Sequence, residues 1–137
     1  MFWGCFSYKK KGPCYCWKPE TKKDKELSQK LIGEINKELE PILYTEWELE
    51  IGMKRVGLRN KPGKLPTWKF SKKTGKLVRG EGTGIDWWRY QKEVLIPKLI
   101  PFAKECMKDR PNTIVQEDKA PSHAHRAQGI LYSKEQV

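Results

Sequence analysis

The middle of the chain holds a long run of basic residues that nothing in its own sequence neutralises. Residues 51–80 contain ten Lys and Arg residues and no Asp or Glu. They supply almost all of the formal net charge of +11, and the rest of the 137-residue chain is close to neutral. A charged side chain is costly to bury without a partner. The run needs either water or a polyanion around it, and nucleic acid is the polyanion expected for an intracellular protein.

Length and composition predict a single small domain with a limited core. Only 37% of the residues are hydrophobic and 33% are charged, although fifteen aromatic residues, six of them Trp, argue against a wholly disordered chain. No apolar run approaches the 18 residues of a membrane span and no signal peptide is visible, so we expect a soluble intracellular protein without a membrane partner. The four cysteines are expected to be reduced and buried. A zinc site joining Cys14 and Cys16 to His123 and His125 is the alternative.

The N-terminal part of the chain is predicted to be a β-hairpin followed by a helical, basic segment. Residues 2–8 and 13–17 are rich in β-formers, and residues 9–13 contain the Gly and Pro of a turn. Residues 24–40 show a helical period and should end at Pro41. A second short helix is expected over residues 44–56 and a long loop over 57–84. The apolar positions of the first helix step by four: Leu27, Leu31, Ile35 and Leu39.

The C-terminal part is predicted to be a helix followed by a strand that ends at an acid. Asp86 is placed to cap the helix at its N-terminus, and Pro97 and Pro101 should kink or break it near residue 97. Residues 113–117 begin with three β-formers and read as a short buried strand, with Asp118 just beyond its end. The tail from Ser122 is expected to be helical to about residue 133. The predicted apolar face of the first of these helices comprises Trp88, Leu95, Leu99, Phe102 and Cys106.

Three blocks of this sequence resemble blocks of the mariner-like transposases, which are DDE superfamily endonucleases. The run Gln116-Glu117-Asp118-Lys119-Ala120-Pro121-Ser122-His123 resembles the block that carries that family's second catalytic aspartate. Phe2-Trp3-Gly4-Cys5-Phe6-Ser7, followed by Gly12-Pro13, is similar to its Trp-Gly strand and Gly-Pro turn. Tyr90-Gln91-Lys92-Glu93-Val94-Leu95 is similar to the helix ahead of the second aspartate. The likeness covers about residues 1–17 and 85–130, and is closest to fungal members.

The resemblance implies an α/β chain with a partial RNase H-like fold. Residues 1–17 would form the core hairpin, residues 18–84 a basic helical and loop insertion, and residues 85–137 the helix, the strand ending at Asp118 and a C-terminal segment. Asp118 would be both a catalytic residue and a metal ligand, because this family cuts and joins DNA with Mg²⁺ or Mn²⁺ held by carboxylates. His123 fits the block but is expected to be structural.

The resemblance also implies that two of the three catalytic acids are missing. The first acid should precede the Trp-Gly strand, and the third should follow Asp118 in a block that the 19 residues after it do not contain. The chain therefore looks like a fragment that lacks the first strand and the C-terminal part of the fold. It is not expected to hold Mg²⁺ stably or to cleave DNA by itself.

The expected activity of the chain alone is nucleic-acid binding, with DNA as the partner and the nucleus as the location. Family transposases also oligomerise, so oligomerisation is a further implication. The alternatives are a non-enzymatic DNA-binding module that uses residues 54–79, and a relic without function. In either binding hypothesis the lysines would contact phosphates and the aromatic residue would stack on bases or sugars. The candidate nucleic-acid-binding residues are Lys61, Lys64, Trp68, Lys69, Lys72, Lys73, Lys76 and Arg79.

Overall fold

The computed structural model describes residues 1–57 and 66–123. Two compact units are present. Within the described residues, unit 1 comprises 1–20 together with 79–123, and unit 2 comprises 21–57 together with 66–78. The predicted insertion, 18–84, encloses unit 2. The predicted loop residues 58–65 and most of the predicted C-terminal helix lie outside the described residues.

Unit 1 begins with the expected hairpin, but its turn lies earlier than predicted. Strands β1 (Phe2–Ser7) and β2 (Lys10–Cys16) pair antiparallel, with Ser7 opposite Lys10. The reversal is therefore a two-residue loop, in which Lys9 adopts a left-handed φ of 58°. The predicted turn at residues 9–13 is wrong, because most of those residues belong to β2.

Gly12 and Pro13, which suggested a turn, instead lie at an irregularity in the pairing of β2 with β1. The pairing register shifts between Gly4 and Phe6, so Gly12 and Pro13 of β2 form a bulge opposite the single residue Cys5 of β1. A Cβ atom added to Gly12 would lie 2.5 Å from the Cys5 Sγ atom and 2.7 Å from its carbonyl oxygen. Glycine is required at this position because the two backbones approach each other too closely for a side chain. The Cys5 thiol also donates to the Pro13 carbonyl at 3.6 Å.

A continuous helical stretch follows in unit 1 and contains the predicted irregularity in a different form. It consists of α2 (Trp87–Tyr90), a π-helical segment (Gln91–Leu99) and α3 (Ile100–Asp109). The predicted cap at Asp86 is confirmed, since its carboxylate accepts the Arg89 N–H. The kink or break predicted near residue 97 takes the form of a π-helical segment, through which the helix continues. In an α-helix the Pro97 ring would crowd the carbonyl group four residues earlier, and the wider π turns give it room. At the end of the segment the Ile100 N–H donates to the carbonyl of Leu95, five residues earlier.

The π-helical segment also changes which residues are buried. Val94 is fully buried, whereas the predicted Leu95 is only half-buried. The reason is that a π turn holds more residues than an α turn, so a five-residue step from Val94 to Leu99 replaces the expected four. The buried apolar residues of this stretch are Trp88, Tyr90, Val94, Leu99, Phe102 and Cys106.

Unit 2 is built on one long helix, α1 (Lys22–Gly57), where two shorter helices were predicted. Thr21 starts it by a reciprocal pair of bonds: its hydroxyl accepts the Asp24 N–H and its own N–H donates to the Asp24 carboxylate. Pro41 lies inside α1 and does not end it. An interior proline costs about 3 kcal/mol, and beyond it Trp47 of α1 packs against Trp68 with ring centroids 5.5 Å apart.

One face of α1 is covered by the returning segment 66–78. Ile32 and Ile35 are buried as part of that face, whereas Leu27 and Leu31 are exposed, contrary to prediction. A strict step of four drifts around an α-helix, so these leucines turn away from the covering segment. The buried Asn36 amide clips the segment in place by donating to the Leu77 carbonyl at 2.9 Å and accepting the Leu77 N–H at 2.8 Å. No helix in the described ranges combines the length and the apolar character needed to cross a membrane.

Candidate functional site

The segment that carries Asp118 is extended but does not form the predicted strand. Within the described residues the only sheet is the β1–β2 pair, and residues 113–120 have no ladder partner. Ile114 and Val115 are 90% and 44% exposed, so their β-branched side chains are not the buried core of a strand. The prediction of a strand at 113–117 is therefore wrong. A run of three β-formers stabilises a strand only where a neighbouring edge and a covering layer exist.

Asp118 is held in a tight local structure immediately before the 3₁₀ turn Pro121–His123. Its carboxylate accepts the Ala120 N–H at 3.2 Å, which is an Asx-type turn. The Nδ1 atom of His123 lies 2.8 Å from the same Asp118 carboxylate oxygen and 3.0 Å from the Asp118 carbonyl oxygen. Because both oxygens are acceptors, Nδ1 carries the proton. His123 thus orients the carboxylate, which agrees with the structural role expected for it.

Glu117 is engaged by a buried tyrosine. The Tyr90 hydroxyl donates to a Glu117 carboxylate oxygen, and the Tyr90 ring packs on the His123 imidazole with centroids 4.2 Å apart. Burial raises the pKa of the Tyr90 phenol strongly, and the hydrogen bond to Glu117 and the charges of Glu117 and Asp118 raise it further. The phenol is therefore a permanent hydrogen-bond donor in the folded protein.

A cavity of about 570 Å³ joins these groups to the hairpin. One wall is β1, from Trp3 to Phe6, and the opposite wall is the segment that carries Glu117 and Asp118. Both acids line the same cavity, whereas alternation along a strand would have sent them to opposite faces. The segment is not a strand, so that alternation does not apply. The cavity combines aromatic walls, two carboxylates and one imidazole.

The carboxylates of this cavity do not fit a two-metal centre. Such a centre typically needs three or more carboxylates, with oxygens left for the ions. Here the carboxylates that line the cavity are two, Glu117 and Asp118. His123 and the Ala120 N–H contact the same oxygen of Asp118, and Glu117 accepts the Tyr90 hydroxyl. Over residues 1–57 and 66–123, no group of three Asp, Glu, His or Cys side chains is placed to hold an ion. The arrangement can orient hydrogen bonds and exclude water from a phenol.

The second candidate region is the basic segment of unit 2, which is more ordered than the predicted loop. Residues Lys72–Thr74 form a 3₁₀ turn that ends at Gly75. Gly75 has a left-handed φ of 106°, and a Cβ atom there would lie 2.8 Å from the Leu43 side chain of α1. The turn therefore packs tightly on the helix, which fixes the backbone that presents the surrounding lysines. Four of the candidate lysines are described and exposed: Lys69, Lys72, Lys73 and Lys76.

An aromatic cluster anchors the start of this segment. The half-buried Trp68 ring packs against Trp47 and Tyr44 of α1, with centroids 5.5 and 5.6 Å away, and stacks near Phe70. The Lys76 ammonium lies 5.9 Å from the Phe70 ring centroid. Trp68 was predicted as a residue that stacks on nucleic acid. The structure places it among three other rings, where it anchors the lysine-bearing segment within unit 2.

Arg79 has a different role from the lysines that precede it. Its guanidinium pairs with Glu20 at 2.7 Å and with Asp86 at 2.6 Å, and all three side chains are only 13% exposed. Burial alone would lower the pKa of Arg79, but the hydrogen bonds to the two carboxylates outweigh it and raise the pKa. Grouping Arg79 with the nucleic-acid-binding residues is corrected here, because its donors are directed at carboxylates inside unit 1. Lys61 and Lys64 lie outside the described residues.

Sequence reasoning missed Tyr90 and Glu117 as a pair, and Tyr44 as a partner of Trp68. Tyr90 and Glu117 are 27 residues apart, and no local pattern links them. Tyr44 and Trp47 are three apart on one helix, and this spacing puts them on one face. Their relation to Trp68 could have been inferred only by extending α1 through Pro41.

Comparisons with protein-family models, with curated proteins and with solved structures find no match to this chain.

Proposed function

We propose that this chain is a nucleic-acid-binding portion of a mariner-like DDE transposase catalytic domain. The assignment to that family rests on the three sequence blocks around Trp3, Tyr90 and Asp118. It carries with it a partial RNase H-like fold, DNA as the partner and the nucleus as the location. In the intact family the activity would be Mg²⁺-dependent cleavage and joining of DNA, with Asp118 as one ligand.

The activity proposed for the chain itself is sequence-independent DNA binding through residues 54–79. The observation that carries it is the exposed group Lys69, Lys72, Lys73 and Lys76, displayed on a packed turn with no acid in the surrounding sequence. Lysines at fixed positions can each replace a counterion on a phosphate, so binding should weaken steeply as salt rises. A non-enzymatic binding module would behave in the same way, and a relic without function would not bind.

The test is a salt titration of DNA binding by a variant in which the six candidate lysines are replaced by Gln. Because these lysines together would neutralise about five or six phosphates, we expect their replacement to lower affinity on the order of a hundredfold near 0.1 M salt and to make the slope of log affinity against log salt much shallower. The matched control removes the same charge from exposed lysines elsewhere: Lys22, Lys23, Lys25, Lys30, Lys37 and Lys104. Equal reductions in both variants would show that binding depends on net charge alone and not on the proposed segment.

A second experiment separates binding from catalysis. Supercoiled plasmid is incubated with the purified chain and Mg²⁺ or Mn²⁺, beside an Asp118→Ala variant. We expect no nicking from either protein, because Asp118 is engaged by His123 and Glu117 by Tyr90. Nicking that disappears in Asp118→Ala would instead show that the chain assembles an active centre, and the binding-only proposal would be abandoned.

A further inference from the structure

The C-terminal half of α1 carries an apolar face that no other described part of unit 2 covers. We call it the open face. Ile42, Leu49, Met53 and Val56 are 57%, 64%, 76% and 75% exposed. It lies roughly opposite the face of α1 that segment 66–78 covers, and a shallow groove runs along it. Its residues are Ile42, Thr45, Leu49, Gly52, Met53 and Val56.

The spacing of the open face is that of a paired helix. Ile42, Leu49 and Val56 recur every seven residues, and Thr45 and Gly52 form a second row between them. Two rows repeating every seven residues are the pattern with which one helix packs along another. The first row is large and the second small. The Thr45 hydroxyl donates to the Pro41 carbonyl at 2.9 Å, which leaves its methyl group for packing. A Cβ atom on Gly52 would meet nothing within 4 Å.

The alternation of large and small rows selects the direction of the pairing. In a parallel pair each row meets itself, so Leu49 would meet Leu49 and Gly52 would meet Gly52, leaving a gap at every second layer. In an antiparallel pair the rows cross. Leu49 then packs over the partner's Gly52, and Val56 packs over the partner's Thr45. The antiparallel arrangement fills the space evenly, and close packing is what such an interface requires.

The charges beside the open face favour the same arrangement. Glu48 and Arg55 lie seven residues apart on one flank of the face, and both are exposed. A twofold antiparallel pair brings Glu48 of one copy beside the partner's Arg55, and symmetry repeats the contact at the other end. In a parallel pair the two Glu48 side chains would lie at the same level. Glu50 and Lys54 already pair within the helix at 2.6 Å and so do not decide the direction.

We propose that the open face of α1 forms a twofold antiparallel homodimer. Leu49 and Val56 of each copy pack over the small residues of the other, and two Glu48–Arg55 pairs flank them. A contact of four helical turns is at the small end of specific interfaces, so the dimer is expected to be weak and reversible. The net charge of +11 opposes association at low salt, and salt near 0.15 M screens it.

The experiment is sedimentation equilibrium of the full chain over a range of concentrations at about 0.15 M salt. We expect the apparent mass to rise from 16.1 kDa toward twice that value. Leu49→Asp should weaken association at least tenfold, because it puts a charge at the centre of the apolar contact. Leu27→Asp is the matched control, since Leu27 is a similarly exposed leucine on the same helix, and it should leave association unchanged.

Charge reversal tests the direction of the pairing. Glu48→Arg alone and Arg55→Glu alone each replace two attractive pairs by two repulsive ones, so each should weaken the dimer roughly tenfold. The double variant Glu48→Arg with Arg55→Glu restores opposite charges at both ends and should recover the original affinity. A 1:1 mixture of the two single variants should also associate.

Three results would overturn the proposal. The first is a protein that stays at 16.1 kDa at every concentration, including the case in which the open face is covered by another part of the same chain. The second is an association that Leu49→Asp does not affect. The third is a double charge variant that remains as weak as the single variants, which would exclude the antiparallel direction. Circular dichroism of each variant verifies that α1 is still folded.

Discussion

The two candidate regions treat their charges in opposite ways. In unit 1 the charged groups have partners within the structure: the exposed Asp118 carboxylate contacts the His123 ring, and the largely buried Arg79 pairs with Glu20 and Asp86. In unit 2 the lysines around the 3₁₀ turn project into solvent beside a sequence that contains no acid. The first region is satisfied by its own residues. In the second, packing fixes the backbone and leaves the charge exposed, and this exposed charge is what the proposed DNA binding would use.

This contrast explains why a cation cannot be assigned to a function by its place in a basic run. Arg79 and Lys76 are three residues apart and belong to the same acid-free stretch. Arg79 nonetheless stabilises unit 1, whereas Lys76 is exposed on unit 2. Charge in the sequence locates a region, and only the position of each side chain shows whether that charge is available to a ligand.

The largest expected effect comes from removing the charge of Arg79. Arg79→Gln leaves Glu20 and Asp86 facing each other with little solvent, so unit 1 should lose about 3 kcal/mol of unfolding free energy. The salt dependence of DNA binding should not change. Lys76→Gln is the paired variant: its stability should be unaffected, and its salt slope should fall by about 0.9. Chemical denaturation and salt titration of both variants provide the measurements, and a changed slope in Arg79→Gln would break the comparison.

The second prediction concerns the two hydrogen bonds between the Asn36 amide and the Leu77 backbone, which hold the basic segment on α1. Asn36→Ala leaves both the N–H and the carbonyl of Leu77 buried without partners, which should cost about 2–3 kcal/mol. Hydrogen exchange at the Leu77 amide should accelerate accordingly. DNA affinity should fall only slightly, because the lysines keep their charge but lose their fixed positions.

Gln29→Ala serves as the control for Asn36→Ala. It removes an exposed amide from the same helix and should change neither the exchange rate of Leu77 nor the stability. If Leu77 exchanges at the same rate in Asn36→Ala as in the unmodified protein, the segment is held by something other than this amide.

The third prediction compares two glycines. Gly12→Ala should destabilise unit 1 by about 2 kcal/mol, because its Cβ atom would overlap the Cys5 backbone. Gly33→Ala is open to a Cβ atom and lies inside α1, so the same substitution there should stabilise unit 2 by about 1 kcal/mol. Thermal unfolding of the two variants should shift in opposite directions. A neutral Gly12→Ala would mean that the bulge at Gly12 and Pro13 relaxes freely.

The hairpin and the helices could be predicted because their signals are local. Alternating β-formers indicated β1 and β2, and Asp86 was recognised as a cap because a cap depends on only three neighbouring residues. The prediction that the helix ends at Pro41 is wrong, because α1 continues to Gly57. Beyond this proline, Trp47 packs against Trp68, which lies 21 residues later in the chain. No periodic pattern in the sequence predicts that the intervening stretch folds back onto the helix. Tertiary packing overrode a local rule.

The candidate site was predicted less well than the fold, for a related reason. The residues Thr113 to Val115 have strand propensity, but a strand also needs a partner edge, and β-propensity says nothing about one. The family resemblance singled out Asp118, but it gave no indication that His123 contacts Asp118 or that Tyr90 donates to Glu117. The Tyr90–Glu117 bond joins residues 27 apart in sequence, and no local pattern indicates it.

The smallest expected effect is a pH-dependent change in stability, which tests whether the Tyr90 phenol in unit 1 is shielded from water. Tyr90→Phe removes the hydrogen bond to Glu117 and should cost about 1 kcal/mol at pH 7. The pKa of Tyr90 in the folded protein lies above its ordinary value of 10.0, so its contribution is fully present below pH 10 and is lost as pH rises. Above pH 10 the unfolded chain releases this proton and the folded protein keeps it. The stability advantage of the unmodified protein over Tyr90→Phe should therefore shrink by about 1.4 kcal/mol per pH unit and vanish near pH 11.

Urea unfolding of both proteins from pH 8 to pH 11 measures this difference. Parallel curves over that range would mean that the phenol ionises as easily in the folded protein as in the unfolded chain, and that the cavity beside Asp118 is open to water.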